Sequence, residues 1–251
     1  MDLGLADHTY IVTGGSRGLG RATAEVLIAE GARVVISSRS QESVDDAVAA
    51  LGSSAAGLAA DNADPDTPAR LVNTARDRFG RLDGALISVG GPPPGPISER
   101  TEDEWRAAFD SVFLGALRLA TTVADALTDG GSIAFVLSTS VRAPIPNLGI
   151  SNGLRPGLAM AAKTLADELG PRGIRVNGLM PGRVDTERVQ ELDASTGDAA
   201  ASKEKQLAGI PLGRYGEPDE FGRAAAFLLS PAAGFLTGVM LPVDGGQTRA
   251  L

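Results

Sequence analysis

The chain has 251 residues and a formal net charge of −8, with 43% hydrophobic and 4% aromatic residues and no cysteine. It has one histidine, His8, which we predict to lie at the surface. These values exclude disulfides and thiolate metal sites, argue against a His-built metal site and a Ser-His-Asp triad, and give no basic patch for a nucleic-acid partner; we assign no metal ligands. No run of about 18 apolar residues and no basic N-terminal region occur, so we expect a cytoplasmic protein without a membrane span or signal peptide.

Short β-branched runs alternate with longer Ala- and Leu-rich stretches along the chain. The predicted strands are residues 10–13, 33–38, 58–60, 85–88, 133–137, 175–180 and 239–243. The predicted helices of the first half are residues 18 to about 30, 41–51 and 65–79. This alternation predicts a single α/β domain, a doubly wound parallel sheet with helices on both faces.

A glycine-rich segment follows the first predicted strand and opens the first predicted helix. Small residues allow a tight turn that a phosphate can approach closely, and the helix N-terminus offers free N–H groups and a positive dipole end. Because the required strand and helix flank the glycines, the segment predicts a dinucleotide site. The residues assigned to this turn are Gly14, Ser16, Arg17, Gly18, Leu19 and Gly20.

The end of the second strand indicates which dinucleotide binds. NAD sites usually place an acid there on the ribose 2′-hydroxyl, whereas this chain has Arg39. Arg39 and Arg17 can form bidentate hydrogen bonds with a 2′-phosphate, so we expect NADP(H) to bind in preference to NAD(H). The alternative is two solvated surface arginines. Asp61 follows the third strand, where it can accept from the adenine amino group, and we group Asn62 with it.

Two proline-rich segments interrupt the alternation. Residues 90–96 read GGPPPGP after the fourth strand, and residues 142–148 read RAPIPNL after the fifth. Consecutive prolines join neither a helix nor a central strand, so we predict stiff loops. Both lie at carboxyl ends of strands, where open α/β sheets bind ligands. We expect residues 194–202 to be a loop or flexible lid, and residues 186–208 to complete a substrate cleft.

The chain resembles the classical short-chain dehydrogenase/reductase family. The resemblance lies in the glycine turn, Asp61, the Pro-Gly pair at 181–182, Thr186 and the C-terminal LTG and VDGG segments. Within it the chain looks most like the β-ketoacyl-acyl-carrier-protein reductases. The resemblance implies a Rossmann-type seven-stranded sheet and a homotetramer or homodimer associating through residues 217–229 and the last strand. It also implies cofactor contacts from Val89, Gly90, Pro181, Gly182 and Thr186.

The catalytic residues depart from that family. Its members carry a tyrosine, and a lysine four residues later, on the helix after strand five, with a serine about a dozen residues before the tyrosine. Ser138 matches the serine, whereas Ser151 stands at the tyrosine position and Arg155 at the lysine position. Asp110 replaces the asparagine of the preceding long helix. This combination resembles a divergent branch that lacks the tyrosine–lysine pair.

The chemistry left to such a site is limited. Arg155 can bind ribose hydroxyls but cannot act as an acid near neutrality. With Ser138 and Ser151 it can stabilise a developing alkoxide, and the proton would come through water or from Asp110. The structural alternative is that Ser138 and Ser140 cap backbone groups and that Ser151 is a helix N-cap.

Two functions therefore remain open at the level of sequence. The first is an NADPH-dependent oxidoreductase that acts on a small-molecule carbonyl or alcohol. The second is a catalytically silent NADP-binding sensor or partner subunit.

Overall fold

The computed structural model describes residues 2–128, 130–195 and 197–249. In that part of the chain the strands form one sheet, in the order β3-β2-β1-β4-β5-β6-β7, and all neighbouring pairs are parallel. The strands are β1 (Thr9–Thr13), β2 (Arg33–Ser38), β3 (Ala55–Ala59), β4 (Gly84–Ile87), β5 (Gly131–Val136), β6 (Ile174–Pro181) and β7 (Met240–Val243). The predicted doubly wound, seven-stranded parallel sheet is confirmed.

Helices cover both faces of this sheet. They are α1 (Gly18–Ala29), α2 (Gln41–Leu51), α3 (Thr67–Phe79), α4 (Glu102–Ala108), α5 (Gly115–Ala126), α6 (Gly149–Leu169), α7 (Glu187–Ala194), α8 (Ala199–Leu207) and α9 (Pro218–Leu229). One buried core lies between the sheet and α3, α5 and α6, and the other between the sheet and α1, α2 and α9.

The strands serve both cores because successive side chains point to opposite faces. Ile11 of β1 belongs to the α5 side, while Tyr10 and Val12 belong to the α1 side. Small residues let the layers approach closely. A Cβ on Gly222 of α9 would lie 2.7 Å from the Ala22 carbonyl oxygen of α1, so these two helices pack backbone to backbone.

Several predicted boundaries need correction. β3 begins three residues before the predicted strand 58–60, because its small residues Ala55 and Ala56 pair with β2 although they are poor strand formers. Residues 194–202 are not a plain loop, since α7 ends and α8 begins within them; Thr196 lies outside the described residues. His8 is half-buried and not fully at the surface.

One helical stretch in the described residues, Glu102–Ala126, is long and apolar enough to cross a membrane by length and composition alone. Leu119, Ala120 and Val123 on its inner face are buried in the core against the sheet. A core helix passes the same test, and the fold uses this stretch as one.

Candidate functional site

A cleft of about 2360 Å³ lies at the carboxyl ends of the strands. Its lining includes every residue that the sequence assigned to cofactor or catalysis. These are Gly14, Ser16, Arg17, Gly18, Leu19, Gly20, Arg39, Asp61, Asn62, Val89, Gly90, Asp110, Ser138, Ser151, Arg155, Pro181, Gly182 and Thr186. Residues that are far apart in the chain therefore share one cavity, as expected at the edge where open α/β sheets bind ligands.

The strand order reverses between β1 and β4. Thr13, the last residue of β1, is hydrogen-bonded there to Ser88, the residue after β4. Its hydroxyl donates to the Ser88 carbonyl at 2.7 Å and accepts from the Ser88 N–H at 2.9 Å. Thr13 is fully buried. This reciprocal pair fixes the point at which the sheet opens to a ligand.

The glycine turn leaves no space for side chains. Gly14 and Gly18 have φ values of +61° and +56°, a region that side chains rarely adopt. A Cβ on Gly20 would lie 2.3 Å from the Gly14 carbonyl oxygen. Arg17 precedes α1 without a side-chain cap, and the first turn of α1 carries no acid. The free N–H groups thus suit a pyrophosphate, and the residues present fit a dinucleotide.

The residues expected at the adenosine end surround the turn. Arg17 and Arg39 are both exposed at the cleft, and the Arg17 side chain retains 68% of its accessible area. Asp61 is also exposed, and its Oδ1 accepts from the Ala63 N–H at 2.9 Å. The two arginines lie where they can meet an incoming phosphate.

Arg155 projects from α6 into the base of the cleft. It is 5% exposed, donates through Nη1 to the Val136 carbonyl, and approaches the Val89 carbonyl through Nη2 at 3.5 Å. Its Nε has no partner. Burial lowers the pKa of Arg155 to about 10, so the guanidinium stays charged at neutral pH.

The two serines differ in their surroundings. The Ser138 hydroxyl accepts from the Ser140 N–H at 3.1 Å, which confirms the capping interpretation for Ser138. That interpretation is wrong for Ser140, because its buried hydroxyl has no hydrogen-bond partner. The prediction that Ser151 is a helix N-cap is wrong, because α6 begins at Gly149 and its N-cap is Leu148. Ser151 instead lies in the first turn, 8% exposed, and lines the cleft.

Asp110 stands in a π-helical segment, Phe109–Leu114, between α4 and α5. It is exposed on the cleft wall. The residue of this segment that packs against the start of α6 is Val112, in a cluster with Ile150 and Leu154. The sequence did not single out Val112, since a π turn inserts an extra residue per turn and shifts which side chains face inward.

The two proline-rich loops lie at the carboxyl ends of β4 and β5, as predicted, and are joined to each other. Gly95 and Leu148 form a parallel bridge, with the Gly95 N–H donating to the Asn147 carbonyl at 2.6 Å. The Asn152 side chain accepts from the Ile145 N–H at 3.0 Å and donates to its carbonyl at 2.8 Å. Asn152, which sequence reasoning passed over, therefore holds the second loop against α6.

Residues 186–208, which contain α7 and α8 and are called the lid below, are held by a buried carboxylate. Asp193 of α7 accepts from Arg183 at 3.1 Å, from the Ser202 hydroxyl at 2.9 Å and from the Tyr215 hydroxyl at 2.9 Å. Arg188 of α7 donates to the Pro92 carbonyl at 3.0 Å, which ties the lid to the first proline-rich loop. The lid is thus a structured helical element.

Neither tyrosine lines the cleft. Tyr10 donates to the Leu229 carbonyl at 3.2 Å inside the core, and Tyr215 is engaged with Asp193. Lys163 is exposed and donates to the Gly238 carbonyl at 2.9 Å. Among the described residues, no group of three or more His, Asp or Glu side chains could hold a metal ion.

Comparisons with known proteins agree with this architecture. A family model described as Enoyl-(Acyl carrier protein) reductase matches residues 14–248. A 2,5-dichloro-2,5-cyclohexadiene-1,4-diol dehydrogenase of Sphingobium indicum is 35% identical over 249 residues, covering 97% of this chain and 98% of that protein. A 3-oxoacyl-[acyl-carrier-protein] reductase of Synechocystis sp. is 32% identical over 250 residues, covering 97% of this chain and 98% of that protein. The crystal structure of L-sorbose reductase from Gluconobacter frateurii, complexed with NADPH and L-sorbose, superposes with a TM-score of 0.92 at 28% identity over 100% of both chains.

Proposed function

Since this chain belongs to the short-chain dehydrogenase/reductase family, we propose that it is an NADP(H)-dependent oxidoreductase acting on a small-molecule carbonyl or alcohol through an atypical active site. Its relatives are named dehydrogenases and reductases, which supports an oxidoreductase of this general type. One observation carries the proposal: the phosphate-fitting turn and the polar group Ser138, Ser151 and Arg155 open on the same cleft.

The preference for NADP(H) rests on charge. Arg17 and Arg39 flank the turn at the cleft, and no acid stands at the end of β2, where an NAD site would place one. A guanidinium pairs with phosphate oxygens through two parallel N–H bonds. The L-sorbose reductase structure holds NADPH, which shows that this fold accommodates the phosphorylated cofactor in a relative.

The proposed mechanism assigns a separate task to each side chain. The cofactor, when bound, supplies or accepts the hydride. Ser138 donates a hydrogen bond to the substrate oxygen, and Ser151 and the Arg155 charge stabilise negative charge that develops there. Arg155 also offers donors to the cofactor's ribose hydroxyls. Since no tyrosine lines the cleft, the proton comes through water or from Asp110 at the cleft wall.

The experiment has two stages. NADPH and NADH binding are measured first by fluorescence titration, and a broad carbonyl and alcohol panel is then assayed for cofactor turnover. We expect tighter NADPH binding and turnover that Ser138→Ala reduces at least tenfold, while Ser53→Ala, an exposed position outside the cleft lining, leaves turnover unchanged. NADPH binding with no turnover across the whole panel contradicts an enzymatic role.

That outcome would favour the second candidate, a catalytically silent NADP-binding sensor or partner subunit. The observation in its favour is that both tyrosines are engaged away from the cleft. Its signature is a cofactor-dependent change in the affinity for another protein. Robust turnover that is lost in Ser138→Ala excludes it.

We also propose a homotetramer or homodimer in the cytoplasm, with no nucleic-acid or membrane partner. The support is exposed apolar surface: Phe235, between α9 and β7, is fully exposed, and Met160 on α6 is 65% exposed. Such residues are covered when copies of a chain associate. A monomeric mass by light scattering at micromolar concentration contradicts the assembly.

A further inference from the structure

Arg155 is a buried cation without a counter-charge. Only 5% of it is exposed, and its hydrogen bonds reach the backbone carbonyls of Val136 and Val89. Among the described residues, no Asp or Glu forms an ion pair with it, and its Nε has no hydrogen-bond partner. A buried charge that lacks a partner destabilises a fold by several kcal/mol, so a ligand that neutralises it would bind strongly.

The space beside this cation is open. Ser151 lies one helical turn before Arg155 on the same face of α6, and both side chains line the cleft. Family members carry a bulky phenol at the Ser151 position, whereas a serine hydroxymethyl group leaves that volume to a ligand. The guanidinium has five N–H donors, of which two meet carbonyls, so donors remain for a ligand group next to Ser151.

The charge of the whole cleft is opposite to that of the chain. The chain carries a net charge of −8, yet its cleft is lined by eight Arg and Lys side chains against six Asp and Glu. The lining therefore carries both signs of charge, with an excess of two cations, and such an excess favours an anionic ligand. The cations on the lining are Arg17, Arg39, Arg142, Arg155, Arg183, Arg188, Lys205 and Arg249.

We propose that the substrate is an anionic carbonyl compound, a short oxo acid, whose carboxylate pairs with the Arg155 guanidinium while its keto oxygen lies at Ser138. The inference rests on the oxidoreductase function proposed above and names its substrate class. Arg155 is anchored on the Val136 carbonyl, two residues before Ser138. Two residues of extended chain rise by about 6.6 Å, and a short oxo acid can bridge such a distance with one hydrogen bond at its carboxylate and another at its keto oxygen.

The test compares each acid with its uncharged ester. NADPH-loaded and cofactor-free protein are titrated by calorimetry with acetoacetate, methyl acetoacetate, pyruvate and methyl pyruvate, and NADPH oxidation is followed in parallel. We expect at least one acid to bind tenfold or more tightly than its ester. Equal binding of each pair, tighter binding of the esters, or no binding of any of the four compounds overturns the proposal.

Three variants test whether Arg155 causes the tighter binding of the acid. Arg155→Gln should remove the preference for the acid and Arg155→Lys should keep part of it, while Lys163→Gln, a charge removed from the exposed face of the same helix, should leave it unchanged. A preference that survives Arg155→Gln overturns the proposal, and if that variant does not fold by circular dichroism, the comparison in the unaltered protein decides. Acid binding without NADPH oxidation would contradict the oxidoreductase function alone, whereas faster reduction of an ester than of its acid would contradict the oxo-acid inference alone.

Discussion

Glu191 on α7 lies 3.9 Å from Arg17 of the phosphate turn, with Oε1 facing Nη1. Its other carboxylate oxygen lies 3.5 Å from Nη1 of Arg188, the residue that ties the lid to the first proline-rich loop. One carboxylate therefore connects the lid with the residue that would meet the cofactor's phosphate. A phosphate that enters the turn competes with Glu191 for Arg17.

The first prediction concerns this competition. Glu191→Gln should lower the NADPH dissociation constant about two- to five-fold at low ionic strength, since it releases Arg17 and removes a negative charge from the turn; exposed ion pairs contribute about 0.2–1 kcal/mol. The difference should shrink in 1 M salt, where such charges are screened. Fluorescence titration measures it, with Glu168→Gln, exposed and outside the cleft, as control. Weaker NADPH binding in Glu191→Gln would show that the carboxylate orders the turn and does not compete.

The second prediction concerns the choice of dinucleotide. Arg39→Asp places an acid after β2 and should reverse the preference from NADPH to NADH. Charge-assisted hydrogen bonds contribute about 1.5–3 kcal/mol, so NADPH affinity should fall roughly tenfold to a hundredfold. Dissociation constants for both cofactors in the unaltered protein and the variant measure it. Equal constants for both cofactors in the unaltered protein would contradict the assignment.

The third prediction concerns the joint between β1 and β4. Thr13→Val keeps the shape of a fully buried side chain but leaves the Ser88 N–H unsatisfied, at a cost of about 1–3 kcal/mol. The free energy of unfolding in urea should fall accordingly, and NADPH affinity with it. Thr164→Val, the same change at an exposed position of α6, should stay within about 0.5 kcal/mol of the unaltered protein. Equal stability of the two variants would remove the structural role given to Thr13.

The sequence predicts the sheet, and it predicts that the glycine turn lines the cleft, because the signals for both are local. The glycine turn and the β-branched runs of β2 and β5 need no tertiary information. The sequence predicts a start of β3 that is three residues too late, because Ala55 and Ala56 have weak strand propensity and only pairing with β2 extends the strand to them. The start of α8 has a local signal in the sequence, since Asp198 caps the helix and strong helix formers follow it.

The catalytic end of the cleft was predicted less completely. Its geometry depends on a π turn and on loop contacts that no short pattern encodes. Asp110 lines the cleft, and the packing of Val112 against the start of α6 has no signal in the sequence. The burial of Arg155 without an acid nearby is likewise a tertiary property, because it depends on which side chains the other elements bring to that point.

The fourth prediction concerns pH. Burial, and then the hydrogen bond to Asp193, raise the pKa of Tyr215 to about 12, above its ordinary value of 10.0. A group whose pKa is raised by folding stabilises the fold fully below its unfolded pKa and loses that contribution as the pH rises through the folded value. Tyr215→Phe should therefore be less stable than the unaltered protein at pH 8, and the gap should narrow between pH 10 and 12. Melting temperatures across that range test it, and a constant gap contradicts it.

The last prediction concerns Ser151 and Arg155 as a pair. Ser151→Tyr with Arg155→Lys recreates the family pair one helical turn apart, where a lysine charge lowers a tyrosine pKa enough for proton transfer near neutral pH. Pro156 removes one helical hydrogen bond, yet α6 runs unbroken from Gly149 to Leu169, so both positions keep their place on the cleft. We expect the double variant to reduce a simple β-ketoester faster than the unaltered protein, with a pH dependence that the unaltered protein lacks.

Ser151→Tyr alone should gain little turnover, because Arg155 is held by the Val136 and Val89 carbonyls. The preference for acids over esters should also weaken, since the phenol fills the space given to the carboxylate. A double variant that folds, binds NADPH and gains no turnover would show that the cleft has changed beyond these two positions.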